Sequence, residues 1–247
     1  MKALLLAAGA GTRLRPLTHD RPKPMVEIAG EPAIARSLRW LQQQGVTDVA
    51  VNLHYRPGVI RKFVGDGARF GVRVRYSLER PILGTSGALR PLASFFRNEE
   101  VFLVLYGDVL TNLELRPVLC AHEMANADVT IVLTKVEDPT RAGVVGFDSD
   151  CFINRFVEKP LHHEVFSQWA NAGIYLCSPT ILAYVAAKGS QDFAHDVFPA
   201  MLRDGRRLLA SPTRALVIDF GSPERREFAE RAIRAGSLAR RAVPEQC

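Results

Sequence analysis

The sequence predicts an α/β protein of Rossmann-like type, with a doubly wound, mostly parallel sheet and helices on both of its faces. Continuous apolar runs at residues 3–8, 48–53 and 101–106 are typical of buried strands, and segments with helical spacing separate them. After residue 128 strands follow one another with few helices between them, which predicts antiparallel pairs and hence a mixed sheet.

The composition is that of a globular chain, and its positive net charge fits an anionic ligand without identifying one. The 247 residues are 47% hydrophobic and long enough to bury a sizeable core. No apolar stretch approaches the roughly 18 residues of a membrane span, and no signal-peptide pattern precedes the first strand, so we expect a cytoplasmic protein without a membrane partner. The net charge of +6 also suits a nucleic-acid binder, but the basic residues are scattered and match no nucleic-acid module, so we expect none.

The first apolar run ends in a glycine turn that is followed by cations. Gly9-Ala10-Gly11 allows backbone N–H groups to approach a bulky anion, Arg13 and Arg15 follow at once, and Lys23 is held between two prolines. This arrangement predicts a polyphosphate site. A dinucleotide fingerprint fits poorly because Leu14 replaces its third glycine, and no Gly-Lys-Ser/Thr run of a P-loop occurs.

The remaining elements follow from periodicity and punctuation. Residues 83–89 form a second glycine-rich turn, which we expect to open a helix to about residue 96 with Thr85 as its N-cap. Gly107-Asp108 ends a buried strand, where an aspartate is well placed for a ligand crevice. The helix predicted at 223–235 has Phe228, Ala232 and Ile233 on its apolar face. We further predict helices at 33–44, 57–64, 179–185 and 194–202, and strands at 72–76, 129–136, 143–147 and 152–157.

A long motif near the N-terminus resembles that of a known family. Leu-Ala-Ala-Gly-Ala-Gly-Thr-Arg-Leu-Arg-Pro-Leu-Thr at 6–18, followed by Pro-Lys-Pro-Met-Val at 22–26, is similar to the signature of the sugar-1-phosphate nucleotidylyltransferases, or NDP-sugar pyrophosphorylases. Five further segments match that family, namely those at 83–89, 107–108, 142–145, 157–160 and 171–175, and Asp-Phe-Gly-Ser-Pro-Glu at 219–224 matches it as well. The segments at 83–89 and 171–175 look most like those of mannose-1-phosphate guanylyltransferases.

The resemblance implies a role for each matching residue. Arg13, Lys23 and Asp108 would be catalytic, and Asp108 and Asp219 would share one Mg²⁺ ion. The nucleotide-binding residues would be Leu6, Ala8, Gly9, Gly11, Thr12, Arg13, Lys23, Gly84, Thr85 and Gly87. The residues that bind the sugar phosphate would be Gly143, Glu158, Lys159 and Asn171, although Glu158 and Lys159 by themselves also fit an ordinary solvated pair.

The resemblance also implies a reaction and its substrates. The enzyme would join a sugar 1-phosphate to an NTP, giving an NDP-sugar and pyrophosphate, with GTP and mannose 1-phosphate as the first choice. A D-glycero-D-manno-heptose 1-phosphate guanylyltransferase is an alternative, as is a uridylyl- or thymidylyltransferase acting on glucose 1-phosphate or N-acetylmuramate 1-phosphate. A non-catalytic regulatory subunit that binds nucleotide sugars is an alternative of another class.

The matching motifs run through nearly the whole chain without a linker between them. We therefore expect residues 1–240 to form a single nucleotidyltransferase domain and residues 241–247 to be a frayed C-terminal tail. The sequence leaves open whether the chain forms a homo-oligomer.

Overall fold

The computed structural model describes residues 1–238, so the tail predicted at 241–247 lies outside the described residues. The strands of this part are β1 (Lys2–Leu6), β2 (Glu27–Ile28), β3 (Glu31–Pro32), β4 (Asp48–Leu53), β5 (Arg73–Leu78), β6 (Phe102–Tyr106), β7 (Val109–Thr111), β8 (Val129–Lys135), β9 (Gly143–Phe147), β10 (Ile153–Glu158), β11 (Trp169–Cys177), β12 (Leu208–Pro212) and β13 (Val217–Asp219). The helices are α1 (Ala33–Gln43), α2 (Pro57–Val64), α3 (Gly84–Gly87), α4 (Ala93–Phe96), α5 (Leu115–Met124), α6 (Phe198–Arg203) and α7 (Pro223–Arg234).

The main sheet has nine strands and confirms the predicted mixture of parallel and antiparallel pairs. Its main path runs β10-β9-β11-β6-β1-β4-β5, and β8 and β12 extend it beside β11. The strands β6, β1, β4 and β5 are parallel, whereas β11 is antiparallel to β6, β8 and β9. Because parallel strands point the same way, the loops after β1, β4, β5 and β6 meet at one edge of the sheet.

Both faces of the sheet are covered, as the continuous apolar strands predict. Leu5 of β1 packs on the face that α1, α2 and α5 cover, whereas its neighbour Leu4 packs on the opposite face with α4 and α6. A third and smaller core, which includes Leu14, Ile218 and Phe220, joins the first glycine loop to β13 and α7. That small core holds the first glycine loop against β13 and α7.

Two expectations about helices need correction. The helix expected from residue 84 to 96 is broken into α3, a 3₁₀ turn at Arg90–Leu92 and α4, because Pro91 has no N–H to continue the ladder. Thr85 lies inside α3 and is not its N-cap, because its hydroxyl bonds instead to Asp192 and to the N–H of Phe193.

The apolar face of α7 is also shifted from its predicted position. Phe228 is 44% exposed, whereas Ala229 and Ala232 are buried against the third core. Several elements were not predicted at all, namely α5, β7, β11, β12 and β13 and the small hairpin of β2 and β3. No helix between residues 1 and 238 is long and apolar enough to cross a membrane.

One buried hydroxyl group in α3 has no hydrogen-bond partner. Ser86 is 0% exposed, and its Oγ is the one buried side-chain oxygen or nitrogen among residues 1–238 for which no partner is found. A buried unsatisfied polar group typically costs about 1–3 kcal/mol. The buried Ser86 hydroxyl group therefore lowers the free energy of unfolding.

We expect Ser86→Ala to raise the free energy of unfolding by about 1 kcal/mol, because it removes a hydroxyl that gains nothing from burial. Chemical denaturation measures this change. Ser37→Ala is the matched control, since the buried Ser37 hydroxyl donates to the Ala33 carbonyl at 3.2 Å and its loss should not stabilise the fold. A lower stability of Ser86→Ala than of the wild type would show that the hydroxyl has a partner in solution.

Candidate active site

A cleft of about 360 Å³ opens where the loops after the parallel strands meet. Two glycine turns, one after β1 and one at α3, form part of its wall, and Tyr106 and Asp108 at the end of β6 form another part. The residues that line it are Leu6, Ala8, Gly9, Lys23, Pro24, Asn52, Ile82, Gly84, Thr85, Tyr106, Asp108, Ser190 and Asp192. Seven of the residues assigned to the nucleotide or to catalysis thus share one cleft.

Lys23 is the centre of the charged part of this cleft. It is only 8% exposed, and its Nζ donates a hydrogen bond to Oδ2 of Asp108 and lies 3.4 Å from Oδ1 of Asp219. The two aspartates that the sequence assigns to one metal ion therefore lie on either side of one ammonium group. This ion cluster joins three segments that are far apart in the chain.

A short two-stranded sheet brings the two aspartates together. β7, which starts directly after Asp108, pairs antiparallel with β13 and sets Asp219 opposite Val109. The N–H of Phe220 also donates to the Asp108 carbonyl at 3.1 Å. Backbone pairing, rather than the attraction to Lys23 alone, thus fixes the distance between the two carboxylates.

The charges in the cluster pull the pKa of Asp108 in opposite directions. Burial raises it above its ordinary value, the positive charge of Lys23 lowers it, and the negative charge of Asp219 raises it again. The net direction is upward. The positive charge of Lys23 is the largest of the effects that oppose this upward shift.

Three charged side chains approach the backbone of Gly221 closely, because this residue has no Cβ. A Cβ there would lie 2.7 Å from Nζ of Lys23, 2.8 Å from Oδ1 of Asp219 and 2.9 Å from a terminal guanidinium nitrogen of Arg13. The Gly221 N–H donates to Oδ1 of Asp219 at 2.7 Å and orients this carboxylate. Arg13, which is exposed and does not line the cleft itself, thus lies beside the same cluster.

The rest of the first glycine loop covers Lys23. A Cβ on Gly11 would lie 2.8 Å from the Cβ of Lys23, so the glycine allows the loop to rest on this side chain. The Thr18 hydroxyl donates to the Gly11 carbonyl at 2.8 Å and holds the loop there. Gly11 and the exposed Thr12 do not line the cleft.

The second glycine turn is anchored on a distant part of the chain. Gly84 has φ +79°, and a Cβ there would lie 2.3 Å from the carbonyl oxygen of Gln191, so only glycine fits. The N–H groups of Ser86 and Gly87 donate to that carbonyl at 3.1 and 3.2 Å, and the Thr85 hydroxyl donates to Asp192 at 2.6 Å. Gly84 and Thr85 line the cleft, whereas Gly87 faces this anchor.

The residues assigned to the sugar phosphate lie on the antiparallel half of the sheet and do not line the cleft. Gly143 faces Glu158 across β9 and β10, and a Cβ on Gly143 would lie 2.6 Å from a Glu158 carboxylate oxygen. The side chain of Lys159 is 64% exposed, with its Nζ 3.5 Å from Glu158. Asn171 donates to the Tyr175 hydroxyl at 2.7 Å, and the Tyr175 ring packs edge-on against Tyr106 at a centroid distance of 5.7 Å. Tyr106 thus connects this half with the cleft.

Some residues of the cleft were not assigned a role from the sequence. Asn52 is a polar residue inside an apolar strand, which is a usable signal, and Asp192 lies just before a predicted helix and caps it by accepting from the N–H of Ala194 at 2.8 Å. Tyr106 gave no signal in the sequence. Burial raises the pKa of its hydroxyl, and the negative charge of Asp192 raises it further.

A potential metal site in this cleft offers few protein ligands. No group of three or more His, Cys, Asp or Glu side chains with metal-binding geometry is found in residues 1–238. Asp108 and Asp219 provide two carboxylates, which is the usual protein share for Mg²⁺ bound together with substrate phosphates. The donor set therefore fits a magnesium ion that a nucleotide helps to hold.

Comparison with known proteins agrees with this description. A mannose-1-phosphate guanyltransferase from Gibberella zeae is 36% identical over 228 residues, which cover 91% of this chain and 62% of that protein. The chain thus spans less than two thirds of the length of this curated relative.

Solved structures match nearly end to end. A putative glucose-1-phosphate thymidylyltransferase from Bacillus anthracis superposes with a TM-score of 0.85 at 26% identity and covers 95% of both chains. HddC from Yersinia pseudotuberculosis, complexed with GMP-PN, superposes with a TM-score of 0.79 at 28% identity and covers 94% of this chain and 99% of its own. The fold is therefore the Rossmann-like fold of nucleotidyltransferases, as predicted. The family model described as nucleotidyl transferase matches residues 2–226, and the chain therefore belongs to the nucleotidyl transferase family.

Proposed function

We propose that this protein is a sugar-1-phosphate nucleotidylyltransferase, which joins a sugar 1-phosphate to an NTP and releases pyrophosphate. The observation that carries the proposal is the cluster of Lys23, Asp108 and Asp219 beside a cleft bounded by two glycine turns. Such a cleft offers what a reaction between two phosphates requires, namely fixed cations, carboxylates for a metal ion and backbone N–H groups. Family membership supports the same reaction class.

We propose GTP and mannose 1-phosphate as the substrates. The guanyltransferase relative and the GMP-PN complex of HddC support a guanine nucleotide, and the first of these supports mannose 1-phosphate. The thymidylyltransferase neighbour keeps dTTP with glucose 1-phosphate as the competing pair. We also propose that residues 1–240 act as one domain, since the charged cluster joins residues 23 and 219.

The nucleotide end of the proposed site is the cleft itself. Leu6, Ala8 and Gly9 of the first turn and Gly84 and Thr85 of the second turn would face the nucleotide from two sides. Arg13, whose guanidinium group lies beside Gly221, would neutralise the departing pyrophosphate, and the backbone N–H groups of residues 9–12 would be further donors. Gly87 would act through the anchor on Gln191 that fixes the second turn.

Family members generally use a divalent metal ion, and we propose Mg²⁺ held by Asp108 and Asp219. When bound, this ion would offset the charge of the phosphates that meet at the reacting centre. The adjacent carboxylates of Asp108 and Asp219 suit a compact cation. Lys23 already provides one positive charge at this place and would bear on the phosphoryl group that is transferred.

The reaction needs positioning more than it needs an activated nucleophile. An oxygen of the sugar phosphate, which is already ionised, attacks the α-phosphorus, and the bond from that phosphorus to the pyrophosphate oxygen breaks. The barrier comes from two anions that approach each other, so fixed cations and correct alignment supply most of the rate. No side chain has to form a covalent intermediate.

The sugar end would lie on β9, β10 and β11. Glu158 would accept hydrogen bonds from sugar hydroxyl groups, Lys159 would hold the phosphate of the incoming substrate, and Asn171 would contact the sugar from β11. Gly143 would leave room for the sugar beside Glu158, because a Cβ there would crowd this carboxylate. The exposure of the Lys159 side chain allows it to reach a ligand that enters from solvent.

Pyrophosphate release tests the proposed reaction directly. The full chain is incubated with Mg²⁺, each of four NTPs and a panel of sugar 1-phosphates, and we expect the highest kcat/KM with GTP and mannose 1-phosphate. Chelation by EDTA should abolish the release, and added Mg²⁺ should restore it. Absence of release with every pair would refute the enzyme, and a higher kcat/KM with another pair would refute the proposed substrates.

The two aspartates should act as one unit. We expect Asp108→Asn and Asp219→Asn each to raise the Mg²⁺ concentration for half-maximal rate by at least about 10–100-fold, because each removes one of two carboxylates. The double variant should lose little beyond the worse single variant. Asp48→Asn is the control, since Asp48 pairs with Arg73 at the opposite edge of the sheet. Additive losses, or an unchanged Mg²⁺ requirement, would contradict the shared site.

Lys159→Ala should affect one substrate only. We expect KM for the sugar 1-phosphate to rise about 10–100-fold, the value of a charge-assisted hydrogen bond, while KM for the nucleotide stays near that of the wild type. Steady-state kinetics with each substrate varied in turn measures the difference. Lys135→Ala removes a lysine of β8 whose ammonium group lies over the ring of Trp169, and this control variant should change neither KM. Equal increases for both substrates in Lys159→Ala would place this lysine elsewhere in the site.

A further inference from the structure

A chain of three hydrogen bonds, two of them buried, connects the two glycine turns. The N–H of Ala7 donates to Oδ1 of Asn52 at 2.7 Å, and Nδ2 of Asn52 donates to Oε1 of Glu79 at 2.8 Å. The N–H of Leu83 then donates to Oε2 of Glu79 at 2.9 Å. Ala7 directly precedes the first glycine loop, and Leu83 directly precedes Gly84 of the second. We call this chain the loop brace.

Both side chains of the loop brace are hidden from solvent. Asn52 and Glu79 are each 2% exposed, and within residues 1–238 no lysine or arginine forms an ion pair with Glu79. Burial of a carboxylate without a cation is costly unless its oxygens accept hydrogen bonds. The hydrogen bonds of the loop brace offset this cost. They also form a fixed link between the two glycine turns in the wall of the cleft.

The direction of the hydrogen bonds determines which residue types can form the brace. Backbone N–H groups donate from both ends, at Ala7 and at Leu83, so one member must accept on both of its oxygens. A carboxylate does so, whereas a side-chain amide offers one acceptor and one donor. One amide and one carboxylate together satisfy all the groups. Two amides leave two donors facing each other, and two carboxylates leave two acceptors facing each other.

We propose that Asn52 and Glu79 are positioning residues, which set the separation of the two nucleotide-binding loops and so determine nucleotide affinity. This inference rests on the proposed function. The register supports it, because Asn52 pairs with Leu6 of β1 and with Ser77 of β5 and thus lies between the strands that end in the two loops. The brace lies on the nucleotide side of the cleft, and neither residue is part of the antiparallel half, where the sugar residues lie.

The chemistry allows the brace to be broken and rebuilt without a change in size. Glu79→Gln leaves an amide donor opposed to another donor, and Asn52→Asp places two carboxylates face to face. In the double variant the roles are exchanged. The carboxylate at position 52 accepts from Ala7 and from the amide at position 79, whose oxygen accepts from Leu83. The three hydrogen bonds are then restored in the same places.

The experiment measures KM for GTP and for mannose 1-phosphate in the wild type, both single variants and the double variant, with Mg²⁺ present. We expect each single variant to raise KM for GTP about tenfold with little change in KM for the sugar phosphate, and the double variant to return close to the wild type. Thr130→Val is the control, since it removes a buried 2.8 Å hydrogen bond to His122 far from the cleft and should lower Tm without changing KM for GTP.

Amide hydrogen exchange at Ala7 and Leu83, followed by NMR without any substrate, gives a second readout. We expect both amides to be protected in the wild type, less protected in the single variants, where the two central groups repel each other, and protected again in the double variant. This measurement separates the brace from the proposed function, because it decides whether the brace forms even in a chain that turns over no nucleotide.

Three results would overturn the proposal. An unchanged KM for GTP in the single variants would show that the loops keep their separation without the brace. Equal increases of KM for both substrates would show a general structural role. A double variant as impaired as the worse single variant would show that the negative charge is required at position 79 itself.

Discussion

The contact of one ammonium group with two carboxylates is the interaction on which the charged cluster beside the cleft depends. Lys23 is buried, which is unfavourable without a counter-charge, and Asp108 and Asp219 repel each other without a cation. The carboxylates therefore offset the cost of burying the ammonium group, and the ammonium group offsets the repulsion between the carboxylates. The first glycine loop rests on Lys23, and because Gly221 has no Cβ, the side chains of Lys23, Asp219 and Arg13 can lie close to its backbone. The two halves of the chain thus share one charged centre.

The elements that sequence reasoning identified best are those with a local signal. β1, β4 and β6 are continuous apolar runs, and α2 starts at a proline and ends before a glycine. β4, β6 and α2 were found within about one residue of their bounds, whereas β1 ends two residues earlier than predicted. The candidate site residues were predicted through motifs. Seven of them line one cleft, as a topological rule leads one to expect, since the loops after parallel strands meet at one edge of the sheet.

The features that sequence reasoning missed depend on partners that are distant in the chain. Thr85 looks like a helix cap, yet its hydroxyl bonds to Asp192, 107 positions away. β7 and β13 are only three residues long, and neither has a pattern of its own, because each is stabilised by the other. Phe228 has the hydrophobicity of a core residue, but the face of α7 is set by the small side chains that fit close to β13. Such pairings follow from tertiary packing, which a single sequence does not display.

The separation of 196 positions between Lys23 and Asp219 has a consequence for synthesis of the chain. Ribosomes add about 5–20 residues per second, so roughly 10–40 s pass between the emergence of the lysine and that of its second carboxylate partner. During this interval the nascent chain contains the first loop and β1, the centre of the sheet, but lacks part of the charged cluster. The charged cluster is therefore completed only after residue 219 has emerged, when every strand of the main sheet has already been synthesised.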